Sequence, residues 1–372
     1  MSLTLLPKSQ VLRERIEPGA IVARFAETWL RIGSFDILHA RGDRDLVRKL
    51  ATFVAEDVFQ GWQNLPAKAT IEKESSEIDN PPRNISPEET QGEEGYEENR
   101  FARLYREIVR RNAKTVAAWQ AYGFMNGVLN TDNTSIYGLS LDFGPFAFMD
   151  NFDANYTPNH DDHMLRYSFK NQPSVIWWNL VRLGEAFGEL IGAGGRVDDE
   201  VFISKGVTEE YAPILVKRAE AIIEQTGEEF RAVFHNEYKR LMTARLGLKV
   251  QKESDFQELF SGLLDLMEDL ELDFNHFFRR LSCLSMDDLN TEDNQKSKAR
   301  LFFHDEGMNV VGENQDSAEA RLAKWLNRWQ SRVVEDWGSG KDDERCAAMK
   351  QVNPKVSVMH LIAILCLRMV ER

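Results

Sequence analysis

The sequence predicts an α+β chain that is mainly helical. Three observations carry this prediction. Helix formers with a 3.6-residue apolar period dominate the second half, short alternating apolar runs stand at residues 20–38 and 134–141, and an acidic stretch poor in apolar residues lies between them. At 372 residues, with 42% hydrophobic content, the chain has the material for two or three domains around ordinary globular cores.

Taken in order, residues 20–38 (AIVARFAETWLRIGSFDIL) read as two short strands, with apolar residues alternating around Arg24 and Arg31 and with Gly33 and Ser34 as punctuation. Residues 43–59 follow a helical period that puts Leu46, Leu50, Phe53 and Val54 on one face. The acidic stretch at 66–99 (including EKESSEIDNPPRNISPEETQGEEGYEEN) buries too little apolar surface to offset its ordering entropy, so an unstructured insertion without a function of its own is expected. Residues 100–122 predict a long helix with Leu104, Ile108, Val109, Val116, Ala117 and Trp119 at its apolar positions, and residues 174–191 a buried one. Three more amphipathic helices follow at 208–246, 256–281 and 317–336, with no internal repeat. The apolar tail at 356–370 is interrupted by His360 and Arg368 and falls short of the roughly 18 apolar residues of a membrane span, so a packed helix is expected there rather than an anchor. The first residues, MSLTLLPKSQVLRERIEPG, lack the pattern of a secretory signal, and their acidic residues argue against a transit peptide.

Composition excludes some partners. A net charge of −14 argues against a nucleic-acid role, which needs a basic face to displace counterions, although local basic groups can still grip a nucleotide. Neither a nucleic acid nor a membrane is expected as a partner. Cys283, Cys346 and Cys366 are widely spaced with no CxxC pair, which reads as three unpaired thiols in a reduced compartment such as cytosol or mitochondrial matrix.

Chemistry concentrates at residues 126–144, NGVLNTDNTSIYGLSLDFG. In protein kinases the loop H-R-D-L-x-x-x-N precedes D-F-G, and the Asn and the DFG aspartate hold the magnesium ions that bridge ATP phosphates. On that frame Asn126 stands at the His position, Val128 at the Asp position and Asn133 at the metal Asn, with Asp142, Phe143 and Gly144 as the DFG turn. The motif predicts a protein-kinase-like C-lobe in an ATP-using phosphotransfer lineage, with an intervening hairpin-like TSIYGLSL. Val128 cannot accept a proton, and Asp132 is the nearest carboxylate able to replace that base. The alternative makes Asp132 and Asn133 ordinary turn residues and Asp142 a helix cap. If a turn joins the two early strands, Arg24 and Arg31 converge on one anion; on spacing alone, two surface arginines are the preferred reading. The contiguous His160, Asp161, Asp162 and His163 suit a loop that caps the next helix or braces the site better than a metal centre, because neighbouring side chains diverge.

The runs GFMNGVLNTDNTSIYGLSLDFGPFAFMDNFD, NHDDHMLRYSFKNQPSVIWWNLVRLGEA, GAIVARFAETWLRIGSF and KQVNPK together resemble the selenoprotein O family, a kinase-fold group, over roughly residues 19–355. The resemblance implies protein AMPylation, the transfer of AMP from a flipped ATP onto Ser, Thr or Tyr hydroxyls of other proteins. It implies Asp132 as proton acceptor, Asn133 and Asp142 as Mg2+ ligands, and Arg24 and Arg31 together with Asp142 as the residues that hold ATP. It further implies a mitochondrial address, with the targeting segment outside this chain; otherwise the expectation is cytoplasmic. Three departures stand out. The family's Gly-rich loop, strand lysine and helix glutamate would precede SLTLLP. Asn126 replaces a usual histidine. VSVMHLIAILCLRMVER stands where the family has an RNxxAQ-like run and a C-terminal Cys or selenocysteine motif.

The expected organisation is therefore an incomplete N-lobe sheet and hinge at 1–65, the acidic insertion at 66–99, a kinase-like C-lobe with the metal site at 100–250, extra C-terminal helices at 251–355 and an atypical tail at 356–372, truncated relative to the family at both ends. Two other readings remain open at this stage: a catalytically silent kinase-fold fragment that acts as a binding scaffold, and a small-molecule kinase of the aminoglycoside type, against which Val128 counts.

Overall fold

Alternation in the first 23 residues produces an antiparallel hairpin, β1 (Ser2–Leu12) with β2 (Ile16–Ala23), in register from Ser2 opposite Ala23 to Leu12 opposite Ile16 and irregular between Leu6 and Gln10. The computed structural model describes residues 2–12, 16–69, 76–303, 315–338 and 340–355. The second predicted strand is instead a helix, α1 (Ile32–Ala40), preceded by an extended segment. So short an apolar run fits either period, and here Ile32 and Phe35, three apart, reach the core together. Helix α2 (Arg44–Phe53) passes into a π-helical turn, Val54–Val58. Its buried face is Val47, Ala51, Val54 and Ala55 rather than the expected one: Leu46 and Phe53 are 47% and 46% exposed.

The acidic stretch corrects the expectation of an unstructured insertion over its described residues, 66–69 and 76–99. Apart from one 3-10 turn, Ser76–Ile78, and a single bridge between Gln91 and Glu98, it is irregular, as its composition implies. Its polar groups nevertheless meet the arginines of α3 (Arg100–Tyr122). Arg103 donates to Ser86 O (2.8 Å), Arg110 to Ile78 O, and Arg83 of the stretch to Glu107 (3.1 Å). Arg106 is fully buried and donates 2.7 Å hydrogen bonds to Glu98 and to Glu229 of a later helix. Burial disfavours the Arg106 charge, but the two carboxylates outweigh it and hold the guanidinium above its ordinary range.

After α3, which matches its predicted span, Gly123 turns the chain at φ 69° into β3 (Phe124–Met125), paired with β4 (Ala147–Phe148). Then come α4 (Gln172–Ala186), α5 (Gly188–Gly192), α6 (Glu200–Lys205) and the long α7 (Ala212–Arg245), so that the helix predicted at 174–191 is broken near Phe187. Beyond them lie α8 (Glu253–Asp255), a π-helical turn (Phe256–Ser261), α9 (Gly262–Asp269), α10 (Phe274–Leu281), α11 (Glu292–Ala299), α12 (Gln315–Trp337) and α13 (Asp342–Val352). The single helix expected at 256–281 is interrupted between α9 and α10, where Glu271 takes φ 49° and Asp273 caps α10 by accepting from His276 N at 2.7 Å.

The result is mainly helical with two small sheets, an α+β arrangement with two cores. One gathers Phe35, Phe101, Tyr105, Leu180, Phe187 and Phe230; the other gathers Met242, Phe260, Phe274, Phe277, Trp325 and Trp329. Helices α3 and α7 run through both. At the far end of α7, buried Arg245 has no carboxylate partner among the described residues. It donates to Ala121 O and to Asn353 Oδ1 (3.0 Å), lies 3.7 Å from the Phe278 ring centroid, and is pushed down to about 9 by burial. Asn353, the asparagine of KQVNPK, returns a bond to Arg245 O at 2.8 Å.

Among the described residues no helix is long and apolar enough to cross a membrane. Cys283 and Cys346 are free thiols; Cys366 and the 356–372 tail lie outside the described residues.

Removing one partner of a buried ion pair leaves the other charge uncompensated. Glu229→Ala should lower unfolding free energy by about 3–5 kcal/mol in urea denaturation, whereas Arg231→Ala, which breaks the exposed pair with Glu228, should change it by less than about 1 kcal/mol.

Candidate active site

The predicted motif is built where three backbone segments meet: the extended stretch before α1, the turn after β3, and the loop leading to β4. Short polar side chains make the turn locally. Asn130 Oδ1 accepts from Asn133 N at 2.9 Å, which closes a 3-10 turn at Thr131–Asn133. The chain then doubles back through Gly138 (φ 77°), and Thr134 bridges Ser140, the hairpin-like return that the alternation predicts.

A continuous relay of amides joins the two predicted metal ligands. Asn133 Nδ2 donates to Val128 O (2.8 Å), Val128 N to Asn126 Oδ1 (3.3 Å), and Asn126 Nδ2 to Asp142 O (3.1 Å) and Ser140 Oγ (3.0 Å). Asn126 is 1% exposed, and its own N–H donates to Gln172 Oε1 of α4 at 3.1 Å. The residue at the histidine position therefore braces the loop as an amide. The Asp142 carboxylate is exposed, and no helix follows it: β4 begins at Ala147, which removes the helix-cap alternative. Phe143 packs edge-on against Phe124 and Phe146.

Both predicted arginines reach this motif, though not from two paired strands. The segment carrying them crosses over residues 134–141, tied by Ile32 N to Thr134 O (2.9 Å) and Ile136 N to Leu30 O (3.2 Å). Arg31 Nη1 stands 4.0 Å from Asp132 Oδ1, with the two side chains 50% and 66% exposed. Arg24 donates to Ser140 O and Leu141 O, the latter at 3.2 Å, beside Asp142, and its guanidinium stacks between Trp29 (4.6 Å) and Phe143 (4.7 Å). Burial draws the Arg24 guanidinium below its ordinary value. Each arginine thus stands at one end of the motif, Arg31 against Asp132 and Arg24 against the backbone that leads into Asp142, and a guanidinium is suited to an anion.

The 160–163 cluster does not converge. Asp162 accepts from Arg166 N (2.9 Å) and Tyr167 N (2.7 Å), organising its own loop, while neighbouring Asn159 donates to Gly127 O (3.2 Å) and ties that loop to the motif. Among the described residues no group of three or more His, Cys, Asp or Glu is placed to hold a metal ion.

Sequence reasoning missed three supports. A Cβ on Gly33 would meet the Asp132 carboxylate, so glycine lets α1 approach it without turning that exposed side chain aside. Asp36 accepts from Thr131 Oγ1 (3.4 Å) and Arg182 Nη2 (3.1 Å). Asn112 of α3 donates to Ser135 O at 2.9 Å. A lone amide on the apolar face of α3 was the available signal for Asn112; the other two depend on tertiary approach and left none.

The chain is 37% identical over 358 residues to a protein of Schizosaccharomyces pombe named Protein adenylyltransferase SelO, mitochondrial, which covers 94% of this chain and 55% of the relative. It is 35% identical over 317 residues to the Saccharomyces cerevisiae protein of the same name (76% and 45%), and 32% identical over 368 residues to a Burkholderia lata protein named Protein nucleotidyltransferase YdiU (99% and 58%). The relatives are thus nucleotidyltransferases by name. A family model described as Protein adenylyltransferase SelO matches residues 1–368, and the chain belongs to that family. The match extends past the 19–355 expected from the motifs and takes in most of the apolar tail. The chain spans about half the length of the curated relatives it matches.

Asn126→Ala deletes the hydrogen bonds that join Val128 to Asp142. A loss of about 1–3 kcal/mol in thermal or urea denaturation is expected, with amide exchange accelerated at residues 140–144 and unchanged in α7.

Proposed function

We propose that this chain forms the kinase-like C-lobe and C-terminal helical region of an Mg2+- and ATP-dependent protein adenylyltransferase. Its domains are those expected above: a segment of N-lobe and hinge at 1–65, the acidic segment at 66–99, the C-lobe at 100–250, the helical region at 251–355 and the tail. The observation that carries the reading is the amide relay from Asn133 to Asp142, with Val128 at the position of the ordinary base and Asp132 beside it. Family membership, the names of the relatives and the two arginines at the motif support it.

The donor set fits the ion and the nucleotide. An Asn amide oxygen and an exposed carboxylate are hard oxygen ligands suited to Mg2+, and each is held in place through its neighbour in the relay. Bound there, the ion would neutralise phosphate charge and orient the α-phosphate. Arg24 and Arg31 hold the phosphates of ATP, and Arg31 also faces the Asp132 carboxylate. Asp132 accepts the proton of a Ser, Thr or Tyr hydroxyl on the acceptor protein as that oxygen attacks the α-phosphorus. The bond from the α-phosphorus to the oxygen bridging to the β-phosphate breaks, pyrophosphate departs, and the acceptor carries AMP. The partners are ATP and hydroxyl-bearing proteins. The mitochondrial names of the two yeast relatives favour a mitochondrial address for this one.

Full-length protein incubated with Mg2+ and ATP labelled at the α-phosphate should transfer label to protein and release pyrophosphate. ADP release in its place would point to a phosphoryl-transferring kinase and overturn the reading. Asp142→Ala should abolish labelling, and Asp132→Asn should slow it by about 10²–10⁴-fold; full labelling by Asp142→Ala would sink the assignment. Gly33→Ala separates site from scaffold. The added methyl favours helix α1 by up to about 1 kcal/mol, so melting temperature should hold or rise while transfer falls because Asp132 is displaced.

A further inference from the structure

The turn that carries Asp132 and Asn133 has to be held from outside, because a one-turn 3-10 helix on an open face has little packing of its own. One buried side chain grips it at both ends. Asn179, on α4, is 0% exposed; its Nδ2 donates to Leu129 O (3.0 Å), just before the turn, and to Thr134 Oγ1 (2.8 Å), just after it. The direction of these bonds is determined. Thr134 donates its single hydroxyl proton to Asn130 O (3.0 Å), so it can only accept from Asn179, and Leu129 O can only accept. Both N–H groups of the amide are therefore used on the turn.

The other end of the same amide has nothing. Asn179 Oδ1 is buried and finds no hydrogen-bond partner among the described residues. A buried acceptor without a donor is unfavourable. In an apolar helix face lined by Val175, Ile176, Leu180 and Leu183, leucine would remove that orphan but leave the buried Leu129 carbonyl without its donor. Packing alone therefore does not account for asparagine here. The two donated bonds do, since they set the separation of Leu129 and Thr134 and with it the path of residues 130–133.

We infer that Asn179 is a positioning residue for the transfer reaction, fixing the turn that presents Asp132 and Asn133. This rests on the adenylyltransferase reading for the chemistry, but the hold on the turn is a property of the fold alone. Asn179→Leu removes both donations and the orphaned acceptor together. Thr134→Val cuts one of the bonds from its other end, together with the Thr134 bond to Asn130 O, and serves as the second variant should Asn179→Leu fold poorly.

The test combines hydrogen exchange and AMP-transfer kinetics on the full-length protein. In both variants, peptides covering residues 128–136 should exchange about tenfold faster or more while those from α3 and α7 keep their wild-type rates. Asn179→Leu should lose about 10–100-fold in kcat, with KM for ATP changed far less. Unchanged exchange at 128–136 in both variants overturns the inference, as does faster exchange spread equally over α3 and α7. If wild-type protein transfers no AMP, the functional reading falls, and the exchange experiment still decides whether Asn179 holds the turn.

Discussion

The site depends on a charge placed where charges are least welcome. Arg106 lies fully buried between Glu98 at the end of the acidic stretch and Glu229 on α7, and so adds an ionic tie to three parts of the chain that also share one apolar core. Desolvation of such a group is expensive, and hydrogen-bonded carboxylates on two sides offset it. Everything at the motif is referred to the helix so fixed. Asn112, six residues on, holds Ser135, and the end of α3 sets where β3 begins.

That arrangement explains which elements could be read in advance. The long amphipathic helices at 100–122, 208–246 and 317–336 declare themselves by period, because their apolar stripes are wide enough to outvote local ambiguity. Residues 32–40 do not: four apolar residues in a short run satisfy both periods, and burial of Ile32 with Phe35 against Phe187 decides for helix. The face of α2 was misread for a related reason, since Leu46 and Phe53 look like core residues until small Ala51 and Ala55 are seen to make the close approach. Composition also misjudged residues 76–99. An acidic segment lacks the apolar surface to order itself, but arginines on a neighbouring helix can order it, and single-segment composition does not register them.

The candidate site was more legible than the fold around it. Asp132, Asn133 and Asp142 were singled out by their spacing within one motif, whose turn is made locally by short polar side chains. That Arg24 and Arg31 both reach this motif required the crossing of residues 24–31 over 134–141, a tertiary fact. The relay behind them is made of amides, and this has an electrostatic consequence. Asn126 does the bracing that an imidazole would do, yet it carries no titratable proton near neutrality. The formal charges at the motif are left to the exposed Arg31, Asp132 and Asp142 and the half-buried Arg24.

The Arg245–Asn353 clasp gives the end of the described chain a role unlike that of an ordinary terminus. A guanidinium sealed among aromatic rings is tolerable only while backbone carbonyls and the Asn353 amide solvate it. Residues 350–355 therefore act as a latch over a cation. Any proteolytic cut or shortened transcript that stops ahead of Asn353 would expose that cation to an apolar core rather than simply trim a tail, which makes this hexapeptide a minimum boundary for a foldable product.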